Sequence, residues 1–180
     1  MKPPQKIIDV FNKEDFKNLL KTFSKDRVAT FNFDPHFSRH VADQNDVREL
    51  QYYFESLTSL AREIFDAPTL LPTYALFAQY SGENAKLWKH KDDNACTYTI
   101  DFCLYQNYAW DLWVEGNPYT LFPNEALAYY GNDQEHWRNN FPMPQKNKVA
   151  MIFFHFADED HWYFKNGPDY VDADIIKNRR

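Results

Sequence analysis

No run of 18 apolar residues occurs anywhere in the chain, which excludes a helix that spans a bilayer. The Met1–Lys6 start has no apolar signal region, so a cytoplasmic location is expected. Cysteine is scarce: Cys96 and Cys103 are the two present, seven residues apart in one expected strand. They would face opposite sides and could not bridge, and free thiols fit a reducing, intracellular setting. Basic residues are outnumbered 20 to 26, for a net charge of -6. That is the wrong sign for holding nucleic acid through its phosphates, and no nucleic-acid or membrane partner is expected. Glycine is also rare, at four residues.

What is present in excess is aromatic: 16 Phe, 12 Tyr and 5 Trp, 18% of the chain. Such density favours strands around a walled pocket over a helical bundle. With 44% hydrophobic and 26% charged residues, 180 residues suit a single folded domain. Residues 1–70 read as a mainly helical cover, 72–164 as a β core and 165–180 as a tail. Phe16, Leu19, Leu20 and Phe23 lie on one face of a helix over Lys13–Phe23. Asp26–Phe33 alternates like a short strand. Val47, Leu50, Phe54, Leu57, Ala61 and Ile64 form one apolar stripe on a helix over Asp46–Phe65, stopped by Pro68. From Pro72 the pattern changes to short aromatic or β-branched runs. They are Thr73–Tyr80, Ala95–Tyr105, Trp110–Val114, Tyr119–Phe122, Ala126–Tyr130, Glu135–Arg138 and Lys148–Phe156. Turn-like pieces such as Glu115-Gly116-Asn117-Pro118 separate them, the pattern of a sandwich or barrel-like roll. The fold class is therefore α+β, mainly β, with the helices on one face of the sheet.

The chemistry centres on His90-Lys91-Asp92. On an extended segment His90 and Asp92 project to one face and can share a metal. Six histidines and 26 acidic residues give about one His-x-acid match by chance, so the pair alone is weak. A second histidine downstream would complete two imidazoles and one carboxylate on one face of an ion, the ligand set of non-haem Fe(II) oxygenases.

Several further motifs follow in order: Tyr80-Ser81-Gly82 before His90-Lys91-Asp92, the strand Thr97–Leu104, Pro123-Asn124-Glu125-Ala126-Leu127, Gly131–Arg138 with His136, and Lys148–Phe154. With these the sequence resembles the Fe(II)/2-oxoglutarate-dependent dioxygenases, closest to the compact prolyl-hydroxylase-like members. The resemblance covers about Pro72 to Phe164, and Asn124 stands where the family often has glycine. It implies a double-stranded β-helix (jelly-roll) core, with His90, Asp92 and His136 as ligands of Fe(II). It also implies 2-oxoglutarate and O₂ as cosubstrates, with ascorbate as a stimulant. Tyr80 would hydrogen-bond the 2-oxoglutarate, and Lys148 would pair its far carboxylate. Arg138, which shares the parity of His136, is the alternative anchor.

His155 is the rival third ligand. If Lys148 faces inward, alternation puts Ala150, Ile152 and Phe154 inward and turns His155 away, which favours His136. Pocket walls are expected among Trp88, Tyr98, Trp110, Trp113 and Trp137, and Phe141–Asn147 is the expected lid or substrate loop. The substrate is either a protein side chain such as proline or a small metabolite. Two other classes stay open: a cupin-like metal oxygenase that does not use 2-oxoglutarate, and an inert binding protein on the same fold.

Overall fold

The computed structural model describes residues 1–141 and 147–166. The expected lid falls mostly outside the described residues, as does most of the expected tail. Eleven strands and four α-helices appear among the described residues. The helices are α1 (Lys13–Thr22), α2 (Lys25–Val28), α3 (Glu49–Phe65) and α4 (Trp162–Asn166). A large sheet runs β1-β9-β6-β11-β4-β3-β2, where β1 is Gln5–Ile7, β9 Ala126–Tyr129, β6 Tyr98–Gln106, β11 Val149–Asp158, β4 Leu70–Tyr80, β3 Arg39–Asp43 and β2 Asn32–Asp34. A smaller sheet runs β5-β10-β7-β8, from Leu87–His90, His136–Arg138, Leu112–Val114 and Asn117–Tyr119. All the pairings are antiparallel. The two facing sheets make a double-stranded β-helix with the N-terminal helices on the outer face of the larger one. None of the described helices is long and apolar enough to cross a membrane.

Helix α1 starts where Asn12 accepts from the backbone N–H of Glu14 and Asp15, a side-chain cap on otherwise unpaired donors. Helix α3 ends at Asp66, which takes the left-handed conformation (φ 56°) two residues before Pro68. Its expected stripe is buried at Val47, Leu50, Phe54, Leu57 and Ala61, while Ile64 is only partly buried. That stripe packs on Ala75 and Phe77 of β4, Ile100 and Phe102 of β6, and Ile152, Phe154 and Phe156 of β11. The opposite face of the same strands carries Ala78, Tyr80, Cys103, Met151 and Phe153 into the space between the sheets.

Some elements differ from expectation. Asp26–Phe33 is not one strand: Lys25–Val28 forms a helical turn and only Asn32–Asp34 is extended. Ser24 leads that turn, and Val28 is buried by it. Ala95–Tyr105 begins as a 3-10 turn, Asn94–Cys96, before β6, so Cys96 and Cys103 are not on one strand, although both are free and buried. Of the Tyr119–Phe122 run only Tyr119 is strand, as the last residue of Asn117–Tyr119. Strands β1 and β3 lack the alternation that would announce them, being three and five residues long with few apolar side chains.

Candidate metal site and its cavity

His90 ends β5 and His136 opens β10, and the two are directly opposed in the antiparallel register. Cross-strand opposition brings their rings to 4.3 Å between centroids. Asp92 follows β5 by two residues, with its N–H donating to the carbonyl of Gly131 at 2.8 Å. One carboxylate oxygen, Oδ1, then lies 3.4 Å from Nε2 of both histidines. The other, Oδ2, accepts from the Thr99 hydroxyl at 3.3 Å. Gly131 closes over this corner: a Cβ there would collide with Asp92 Oδ2, Thr99 Oγ1 and the Cys96 carbonyl.

The donor set suits a divalent metal. Nδ1 of His90 meets the Trp88 carbonyl at 2.7 Å and Nδ1 of His136 meets the Gln134 carbonyl at 2.9 Å. A carbonyl only accepts, so both rings carry their proton on Nδ1 and present the Nε2 lone pair. Burial works against the Asp92 charge; without a metal, a proton shared with the facing Nε2 atoms of His136 and His90 holds its carboxyl well below the usual range, and a metal ion would take that proton's place. Two neutral imidazoles and one carboxylate therefore converge as His90, Asp92 and His136.

This corner opens into a cavity of about 270 Å³ between the sheets. Leu76, Tyr80, Asp101, Tyr129, Phe153 and His155 wall it. None of the five expected wall residues, Trp88, Tyr98, Trp110, Trp113 and Trp137, lines it. Trp113 and Trp137 stack on each other across β7 and β10 at 5.8 Å, while Trp88 is exposed.

The parity assumed for the last strand is reversed. Even residues Ala150, Ile152, Phe154 and Phe156 face the helices, while Val149, Met151 and Phe153 face the space between the sheets. His155 follows the odd set and borders the cavity. It joins a second cluster, Asp92, Cys96 and His155, beside the first. Lys148, one residue before the strand, is exposed, and its backbone N–H donates to Asn107 Oδ1 at 2.7 Å. Neither Lys148 nor Arg138 lines the cavity, and of the two Arg138 is the buried one.

Arg138 is placed differently. It is 3% exposed on β10, two residues from His136, with its guanidinium over the Trp110 ring at 5.1 Å. Nη1 donates to the Trp110 carbonyl and Nη2 points at Met151 Sδ at 3.7 Å, while Nε is buried without a partner. Tyr80 is fully buried at the cavity and accepts from Nη1 of Arg39 at 3.0 Å. Arg39 also pairs with Asp34 at 3.2 Å. Arg39, Asp101 and Tyr129 escaped the sequence reading. Arg39 sits on a strand with no legible period, and Asp101 looks like any polar residue in an otherwise apolar strand.

The sequence matches no family model and no curated protein. The fold, by contrast, has many solved counterparts. A Pseudomonas putida prolyl-4-hydroxylase superposes with a TM-score of 0.66 at 11% identity, over 87% of this chain and 92% of that one. A non-heme alpha-ketoglutarate-dependent carbocyclase from nogalamycin biosynthesis gives 0.70 at 9% identity, over 87% and 80%. A Trichoplax adhaerens prolyl hydroxylase, solved with a hypoxia inducible factor peptide fragment, gives 0.62 at 13%, over 85% and 83%. The chain thus has the double-stranded β-helix fold of the 2-oxoglutarate/Fe(II) oxygenases.

Proposed function

We propose that the protein is an Fe(II)- and 2-oxoglutarate-dependent dioxygenase that hydroxylates its substrate, with succinate and CO₂ as coproducts. The observation that carries this reading is the convergence of His90, Asp92 and His136, both imidazoles locked as Nδ1–H tautomers, at a cavity of this fold. Three ligands on one face of an octahedral ion leave three positions for cosubstrate and O₂. Bound iron with 2-oxoglutarate supplies the activation of O₂; the protein holds, orients and shields.

Asp92 supplies the one negative charge of the ligand set, and Thr99 and Gly131 fix its direction. Tyr80 accepts from Arg39, so its own proton is free to donate to a carboxylate of 2-oxoglutarate. Arg138, behind the cavity wall on the same face of β10 as His136 and with Nε unpartnered, is the candidate anchor for the far carboxylate, and Arg39, which lines the cavity beside Tyr80, is the other. Tyr80, Tyr129 and Phe153 supply the aromatic part of the cavity wall. Prolyl hydroxylases among the structural counterparts make a peptide one candidate substrate class, and small metabolites are the other.

The test is an anaerobic titration with Fe(II) and then 2-oxoglutarate, followed by the metal-to-ligand charge-transfer band in the visible region. The band should appear only with both present and vanish in His136→Ala, whereas His155→Ala should retain it. Arg138→Gln should raise the 2-oxoglutarate requirement about 100-fold or more at nearly unchanged Fe(II) affinity, as removal of a buried charge partner does. Fe(II) binding without any response to 2-oxoglutarate would replace this reading with a metal oxygenase of the cupin-like kind.

A further inference from the structure

Two hydrogen-bond acceptors on the cavity wall have no donor. Asp101 is 1% exposed and borders the cavity from β6, and its Oδ1 is buried without a partner. Tyr129 acts on the same carboxyl group from β9, and Oδ1 remains without a hydrogen-bond partner. No cation lies within ion-pair distance of Asp101 among the described residues. In keeping with that, burial raises the Asp101 carboxyl to about 7 despite the field of Arg138.

The second acceptor follows from proton counting. Thr99 has one hydroxyl proton and two neighbours, Asp92 Oδ2 at 3.3 Å and His155 Nδ1 at 3.2 Å. An ionised carboxylate only accepts, so Thr99 donates to Asp92 and receives from His155 Nδ1–H. His155 is deeply buried and neutral, which puts its lone pair on Nε2. Nε2 makes no hydrogen bond among the described residues and stays open to the cavity. The ring borders the cavity beside Tyr74, 4.6 Å away between centroids.

Asp101 and His155 are neighbours on the same face of the β6–β11 pair, since Asp101 opposes Phe153 and Thr99 opposes His155. Asp93 and Lys91 line the same cavity, and Arg39 there is already paired with Asp34. Water could serve either acceptor, but a single group with several donors and a positive charge would serve both and offset the buried carboxylate. The cavity's 270 Å³ must also take the cosubstrate, which leaves room inside for a group of a few heavy atoms. We propose that the substrate is a small ammonium compound, a free amine or amino acid, whose nitrogen sits between Asp101 and His155. The proposal rests on the oxygenase reading above and narrows its substrate.

The test uses the full chain loaded with Mn(II), which binds without turnover, and reads the thermal midpoint. 2-Oxoglutarate is added first, then a panel of the twenty L-amino acids and of linear alkylamines, each beside its N-acetyl counterpart. At least one ammonium compound should raise the midpoint by about 4 °C at saturation. Its N-acetyl counterpart should do nothing. Asp101→Asn should weaken that compound at least tenfold while keeping the shifts with Mn(II) and 2-oxoglutarate, and His155→Phe should weaken it several-fold. Within the panel, amino acids and alkylamines separate a substrate that carries a carboxylate from one that does not. The proposal is overturned if no compound shifts the midpoint, if N-acetyl compounds bind as well, or if Asp101→Asn binds the compound unchanged. Absence of a shift with 2-oxoglutarate itself would instead overturn the oxygenase reading, so the two failures are distinguishable.

Discussion

The two faces of the large sheet are built from the same strands and do opposite jobs. Along β11, Ile152, Phe154 and Phe156 bury against α1 and α3 in an apolar layer, whereas Met151, Phe153 and His155 face a space that also holds Asp101 and Arg138. Strand β6 divides likewise, with Ile100 and Phe102 toward the helices and Thr99, Asp101 and Cys103 toward the cavity. A period of two lets one strand serve a tightly packed layer and a layer of unpartnered polar groups at once. The unpartnered groups are costly to folding, so the helix side must supply the stability that the cavity side gives up. Substitutions on the two faces should therefore separate stability from binding.

The largest separation should come from Phe154→Ala. Phe154 is fully buried and its ring lies 5.6 Å from that of Phe54 on α3. Truncation there should cost about 3–5 kcal/mol in urea unfolding. Below the transition the folded variant should still bind Mn(II) as the wild type does. A large loss of metal affinity in the folded variant would mean that the two faces are mechanically coupled and the division is false.

Asp101 sharpens the comparison from the other side, because replacing it should stabilise. Its carboxyl is raised to about 7 by burial, against about 4 in the unfolded chain. Between those values the folded state holds the extra proton, so stability falls as pH rises from about 4 to about 7 and the full penalty is present above that. Arg138 and His136 from β10, Asp92 from the segment after β5, Tyr129 from β9 and Cys96 from the 3-10 turn are the charged and titratable groups that act on it or feel it. Asp101→Asn removes the titration, and urea unfolding of metal-free protein should show it more stable than wild type at pH 8, by up to about 4 kcal/mol. The gain should shrink toward pH 4. A gain that is the same at both pH values would show that Asp101 is not the group that titrates.

How much of this was legible in the sequence follows the same division. The α3 stripe at Val47, Leu50, Phe54, Leu57 and Ala61 could be read because an apolar face has a period. The His90, Asp92 and His136 group could be read because metal chemistry restricts residue type and because the ordered motifs resemble a known family. The cavity wall could not. Apolar residues occupy both phases of β11, so nothing in Val149–Ala157 says which phase looks inward. Taking Lys148 as inward selects the other phase and turns His155 away from the cavity it borders. Arg39 was hidden by a short strand whose partner, β4, lies far along the chain, with Arg39 opposite Tyr80. Asp101 was hidden because burial, which decides its chemistry, is a property of the packed sheets and not of the strand.

The smallest expected effect completes the comparison, at the position where strand phase was misjudged. Lys148 is exposed at the mouth of β11, and the contacts seen there are made by its backbone, N–H to Asn107 Oδ1 and carbonyl from the Asn107 N–H. Lys148→Ala keeps both. An exposed charge contributes little to stability, so urea unfolding should change by less than about 0.5 kcal/mol. The 2-oxoglutarate requirement should also stay within about twofold of wild type, because an exposed ammonium is hydrated and screened and cannot replace a buried partner. Set beside Arg138→Gln, the pair of substitutions compares two cations twelve and two residues past His136, one in solvent and one in the interior. A tenfold or larger rise in the 2-oxoglutarate requirement for Lys148→Ala, with Arg138→Gln near wild type, would return the anchor to the last strand. It would also require the start of β11 to turn inward when the cosubstrate binds.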